Sequence, residues 1–183
     1  MFHEESVRIP MIVVDPDPAA DATRGSVDDR AVEAIDLIPT FIDALGGAAQ
    51  DHVLEGRSLM PLLRGGTSDW RDAVFAEADY AFRGARHTLG RAPGETRAYM
   101  VKTDRRKYIS YDHDRPQLFD LETDPRELHD LGTSATHAQV RADMEARIAQ
   151  WLRRRKTRTT ISDAAIEPRT DSHKKRGYLF GVW

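Results

Sequence analysis

Val7-Arg8-Ile9-Pro10-Met11-Ile12-Val13-Val14-Asp15-Pro16 is the stretch on which the fold turns. Met11 to Val14 is an unbroken apolar run rich in β-branched residues, without a helical period and too short for a buried helix. The run reads as a strand buried on both faces, as in a parallel or mixed sheet covered by helices. Asp15-Pro16-Asp17-Pro18 ends it, because proline has no N–H for the ladder and restricts the residue before it. Such a strand needs neighbours on both edges, yet only six residues precede Val7. The sheet it was built to join is therefore expected to lie partly outside this chain.

A chain of 183 residues, 40% hydrophobic and 31% charged, is long enough for one domain with a real core. Its net charge of −3 is unevenly spread. Residues 1–151 hold 18 Lys and Arg against 27 Asp and Glu, whereas residues 152–183 hold 9 against 3. A basic tail on an acidic body is suited to acidic surface on its own body or another subunit. The tail lacks the interleaved aromatics of a single-strand binder, which argues against nucleic acid. Cysteine is absent, so disulfides and thiolate chemistry are excluded. No apolar run approaches a membrane span, and Met1-Phe2-His3-Glu4-Glu5 is no signal peptide. The default expectation is a cytoplasmic protein without a membrane partner.

Along the chain, 31–35 could be a short strand or part of a helix begun at Ser26. Asp36 to Gly47 reads as a helix, with Asp36 as N-cap, Pro39 in the first turn and Gly46 past the C-cap. Leu37, Phe41 and Leu45, with Ile38 and Ile42 beside them, form an apolar stripe. Leu54 to Gly66 reads as a turn and a short helical segment ending at glycine. Ala73–Glu77 is a predicted strand. Phe82 to Glu95 reads as a long irregular polar loop, of a length that is usually functional or disordered. The segments 97–103 and 107–111 form a hairpin pattern around Asp104-Arg105-Arg106, and 117–121 adds a third strand. Thr136-His137-Ala138-Gln139 reads as a capping box, and the helix after it aligns Val140, Met144, Ile148 and Trp151. Arg153 to Lys156 fall in its last turn, where cations complement the dipole. The tail ends in an apolar plug, Tyr178-Leu179-Phe180-Gly181-Val182-Trp183.

The residues by themselves declare no chemistry. The seven histidines have no metal-binding spacing. Asp112-His113-Asp114 and the acidic run 120–124 read as turns, and no serine stands in a nucleophile elbow.

The order of the motifs resembles the C-terminal region of sulfatases of the alkaline phosphatase superfamily. Glu4 to Val13 resembles the E-x-S-x-R-x-P strand, Asp36-Leu37-Ile38-Pro39-Thr40 the D-L-x-P-T helix, and Glu55-Gly56-Arg57-Ser58-Leu59 the E-G-R-S-L element. Lys107-Tyr108 resembles the K-Y strand, and Leu118 to Leu131 the L-F-D-L-x-x-D-P-x-E-x-x-x-L signature. The tail is most similar to the phosphonate monoester hydrolase branch.

The resemblance implies an α/β fold, α+β in isolation: the C-terminal part of an alkaline-phosphatase-like fold. Residues 1–66 would end the main domain, 67–156 form a small antiparallel-sheet subdomain with its helix, and 157–183 an extended arm. It implies a hydrolase of sulfate or phosphonate monoesters using formylglycine made from a C/S-x-P-x-R motif and a divalent metal, calcium or manganese. That motif is absent. No catalytic, cofactor-binding or metal-binding residue can be carried over, so the chain alone is expected to be inactive. The expected partner is an N-terminal catalytic part. Arg83, Arg86 and His87 are expected in a loop capping the substrate, and Arg176, Tyr178, Leu179, Phe180 and Trp183 in an arm building a homo-oligomer. The alternative is a non-catalytic interaction module with a basic arm.

Overall fold

The computed structural model describes residues 1–66, 69–170 and 177. It divides into two compact units: residues 1–33 with 61–154, and residues 34–60 with 155–183.

The first unit is built on an antiparallel sheet of four strands in sequence order: β1 (Ala73–Asp79), β2 (Arg97–Thr103), β3 (Arg106–Tyr111) and β4 (Gln117–Asp120). The strands expected at 73–77, 97–103, 107–111 and 117–121 are thus all present. A tight turn at Asp104-Arg105 joins β2 to β3, and the Thr103 hydroxyl accepts the Arg106 N–H at 3.0 Å. Registers such as Phe75 opposite Val101 and Val101 opposite Tyr108 place alternate residues on one face.

That face carries Ala73, Val101, Tyr108 and Leu118 and packs on Met144 and Ile148 of helix α5 (Ala138–Arg154). Trp151 stacks on Phe75 with ring centroids 5.1 Å apart, and Val140 and Leu152 complete the contact. The expected helix face is the observed one. Its expected capping box is not. One 3-10 turn (Ala135–His137) precedes the helix and has no side-chain cap bond. Thr136 instead lies 3.1 Å from His137 Nδ1, and the Arg141 guanidinium donates to the Ser134 carbonyl, tying the entry down from inside the helix.

The opposite face holds Ala98, Met100, Ile109 and Phe119, covered by Phe2 and Tyr80, with Val7 beside them. Phe2 and Val7 flank or belong to the one-turn helix α1 (Glu4–Val7). Four residues cannot nucleate a helix in water, so α1 owes its form to docking on the sheet.

The strand expected at Met11–Val14 is absent. The segment has no regular structure, and Ile12 is 93% and Val14 71% exposed. A strand is stable only against a ladder partner, and no described residue bonds to the backbone of Met11 to Val14. Both ends are nonetheless fixed. The Arg8 N–H donates to Glu4 O at 2.9 Å, while Asp15 accepts from Asp17 N at 3.0 Å and from Arg64 Nε at 2.9 Å.

The second unit contains helix α2 (Leu37–Ala44). Leu45 and Gly46 close it in a Schellman motif: Gly47 N–H donates to Ile42 O at 2.8 Å and Gly46 N–H to Asp43 O at 2.9 Å. Gly46 has φ +76°, as that motif requires. Two expectations fail here. Asp36 makes no side-chain cap bond to the helix. Its carboxylate is fully buried and accepts the Arg57 N–H at 2.7 Å. The apolar stripe faces solvent at Ile38, Phe41 and Leu45 rather than a core. The 31–35 stretch is neither strand nor α-helix, and one 3-10 turn (Ala34–Asp36) leads into α2. Arg155 and Lys156 lie beyond the end of α5. Lys156 bonds within the second unit, to Leu54 O at 2.7 Å and through its N–H to Glu55 at 2.9 Å. A further short helix, α6 in the order of the chain once α3 (Met60–Leu63) and α4 (Gly84–Thr88) are counted, spans Asp163–Ile166.

Ile148→Ala should lower the unfolding midpoint by the equivalent of about 2–5 kcal/mol, the usual cost of a cavity in a core. Arg147→Ala, which removes only an exposed pair with Asp72, should cost about 1 kcal/mol or less in the same denaturation series.

Candidate functional site

Alternation along β2 and β3 brings Lys102 and Lys107 opposite one another on the face that carries Met100 and Ile109. Like charges directly across a ladder repel, and this pair stands beside apolar neighbours. The counter-charges come from outside the sheet. Glu4 reaches both lysines, Oε2 to Lys102 Nζ and Oε1 to Lys107 Nζ, each at 2.7 Å. Glu127 Oε1 meets Lys107 Nζ at 2.7 Å. The Lys107 side chain is wholly buried, and its ammonium also donates to the Phe2 carbonyl at 2.8 Å.

Glu127 closes the ring by accepting the Glu4 N–H at 2.7 Å, and His3 Nδ1 lies 3.5 Å from the same carboxylate. Glu127 has φ +54°, a left-handed backbone that only strong local constraint holds on a residue with a Cβ. Burial raises the Glu4 carboxyl, but bonds from Lys102 and Lys107 outweigh it and hold the group below its ordinary value. Two carboxylates and two ammoniums cancel, so the buried cluster is neutral as a set.

The segment expected as an irregular loop from Phe82 to Glu95 is braced instead. It contains α4 and a 3-10 turn, Pro93–Glu95. Arg86 explains why: its guanidinium donates to Ala81 O at 2.9 Å and Arg91 O at 3.1 Å, closing the segment on itself. Arg91 forks onto Asp114, with Nη2 2.8 Å from Oδ1 and Nε 3.4 Å from Oδ2. That bond from Arg91 holds the Asp114 carboxyl below its usual range. Burial, with the Asp114 charge 3.4 Å away, pushes the Tyr80 hydroxyl up. Of the three residues expected to cap a substrate, Arg83 and His87 are exposed and Arg86 is half-buried as the brace. Phe82 beside them is fully exposed. Arg176, Tyr178, Leu179, Phe180 and Trp183 lie outside the described residues.

The N-sulphoglucosamine sulphohydrolase C-terminal family model matches residues 1–154. This chain belongs to that family. Among relatives, the multifunctional alkaline phosphatase superfamily protein PehA of Trinickia caryophylli is 27% identical over 154 residues, covering 82% of this chain and 29% of PehA. An arylsulfatase of Clostridium perfringens is 30% identical over 138 residues, covering 75% of this chain and 26% of its own length. Among solved structures, the phosphonate monoester hydrolase of Agrobacterium radiobacter superposes with a TM-score of 0.65 at 33% identity, over 75% of this chain and 28% of that one. The chain spans less than a third of the length of each. The resemblance read from the motifs, to the C-terminal portion of an alkaline-phosphatase-like fold, is borne out.

The formylglycine and divalent metal that the resemblance implies do not fit the residues present. No C/S-x-P-x-R sequence occurs, and among the described residues no three His, Asp or Glu side chains cluster to hold a metal. The motif residues of this C-terminal family portion satisfy backbone instead. Gly56 passes so close to Ile35 that a Cβ would lie 2.1 Å from its carbonyl oxygen, and the Thr40 hydroxyl accepts the Leu59 N–H at 2.9 Å. Asp130, inside the last signature but not one of its fixed positions, likewise accepts from Leu118 N at 3.1 Å and Gly132 N at 2.8 Å. Sequence reading missed the Lys102–Lys107–Glu4–Glu127 cluster. The available signal was two lysines at inward positions of an otherwise apolar strand face.

Lys107→Met should destabilise the chain by about 3–5 kcal/mol, because it leaves the buried Glu127 carboxylate without its cation. Lys102→Met, at a side chain one quarter exposed, should cost clearly less. Paired urea titrations read the difference.

Proposed function

We propose that this chain is the C-terminal part of a hydrolase of sulfate or phosphonate monoesters and completes a catalytic α/β part that carries the nucleophile and metal. The observation that supports this best is the Arg8–Val14 segment. It is apolar and exposed, Met11 to Val14 have no backbone partner among the described residues, and its ends are fixed by Glu4 and Asp15. A segment with such unused backbone groups is suited to enter a sheet, and its apolar faces call for cover on both sides.

The residues of this chain then bind and orient rather than react. The charge cluster fixes where the segment begins. Arg86 holds the shape of the 82–95 segment, on which Phe82, Arg83 and His87 are exposed. In this reading those side chains cap the substrate, since a cation and an aromatic ring suit an anionic ester with an apolar substituent. The basic tail, with Arg176, Tyr178, Leu179, Phe180 and Trp183, joins copies of the enzyme. No chemical step is assigned to any residue here.

The purified chain should not turn over aryl sulfates or aryl phosphonate monoesters with manganese or calcium. Turnover that a point substitution in this chain abolishes would overturn the reading. Ile12→Asp should leave the stability of this chain unchanged within about 0.5 kcal/mol, as at other exposed positions. In a longer protein containing the catalytic part it should prevent folding. Equal tolerance in both would show that the segment joins no sheet.

A further inference from the structure

We propose that residues 1–7 form an acid-releasable clasp on the four-stranded sheet, opened by protonation of Glu4 while the sheet and α5 stay folded. The clasp has little of its own to hold it. It is one helical turn with Phe2 in the apolar face and Val7 beside it, and most of its polar attachments meet at Glu4, with the Phe2 carbonyl on Lys107 and His3 on Glu127 beside them. The groups facing Glu4 are Lys102 from β2, Lys107 from β3 and Glu127 from the loop after β4, with His3 of the clasp itself on Glu127. Protonating Glu4 removes the one carboxylate shared by both lysines. Lys102 then has no anion among its described partners, and the two ammoniums again face each other across the ladder.

The direction of the pH effect follows from the bonds. The Glu4 carboxyl, although raised by burial, is held net below its ordinary value by Lys102 and Lys107. A depressed carboxyl stabilises the closed state above the ordinary value, and that contribution is lost as the pH falls through the folded one. The sheet and helix do not share this dependence on Glu4, because the α5 face is apolar. Asp120 of β4, raised by burial but paired with Arg106 of β3, is held below its ordinary value as well, but the sheet keeps its ladder and its apolar α5 face in acid, whereas the clasp keeps only one helical turn and leaves first. Its consequence for the enzyme rests on the reading proposed above: the same residues set the start of the Arg8–Val14 segment, so opening the clasp frees one of that segment's two anchors.

Backbone amide exchange on the full chain tests this, with rates corrected for their intrinsic pH dependence. The reporters are the Glu4 N–H, which donates to Glu127, and the Arg8 N–H, which donates to the Glu4 carbonyl. Between about pH 7 and about pH 3 their protection should fall together by about tenfold or more, while the β2 and β3 amides keep theirs. Glu4→Gln should show the lowered protection already at neutral pH and lose the dependence on acid. Glu5→Gln, at an exposed position, should behave as the unmodified chain. The proposal is overturned if the reporters lose protection only together with β2 and β3. It is equally overturned if Glu4→Gln keeps full protection at neutral pH.

Discussion

Two lysines facing each other across one rung of a ladder set a condition that the sheet cannot meet by itself. Lys102 and Lys107 need anions, and the face they share with Met100 and Ile109 has none. Glu4, arriving from the N-terminus, and Glu127, arriving from the loop after β4, supply them. Segments more than a hundred residues apart in sequence are thereby joined at one buried point. The left-handed backbone of Glu127 shows how strongly that point is determined, since a residue with a Cβ holds φ +54° only where its surroundings leave no easier choice. Everything the N-terminal segment does later depends on where this joint places it.

The same economy runs through the family motifs. Asp36, Thr40 and Gly56 were legible as a pattern, and the geometry gives each a task of satisfying or admitting backbone. Buried N–H groups in loops need acceptors as much as those in strands do, and short polar side chains supply them locally. A motif of this kind identifies a fold without marking a reactive group, which is why the family is plain while the residues by themselves declare no chemistry.

The hairpin, the strand after it and the α5 face could be read from the sequence because local alternation and helical period agreed with the packing there. The Met11–Val14 strand and the α2 stripe could not. Their apolar patterns called for burial, and the segments are instead exposed, with Ile12, Val14, Phe41 and Leu45 facing solvent. Capping failed for a different reason: Asp36 and Thr136 are good cap types, yet each side chain found another partner, Arg57 N–H for Asp36 and His137 for Thr136. The Phe82–Glu95 segment looked irregular because its order comes from one guanidinium reaching backbone carbonyls on either side, which no periodicity records. The charge cluster needed strand register and long-range contact at once.

The exposed Arg8–Val14 segment also bears on how such a chain survives alone. A β-branched run such as Met11 to Val14, with no backbone partner among the described residues, is a template on which copies can stack into intermolecular sheets. Its borders carry the usual safeguards: Pro10 at one end, and at the other Asp15 and Pro16, a charge and two residues that cannot donate to a growing ladder. They shorten the run able to self-associate to four residues, Met11 to Val14. The barrier to stacking at this run is therefore set by two prolines and one aspartate at its borders.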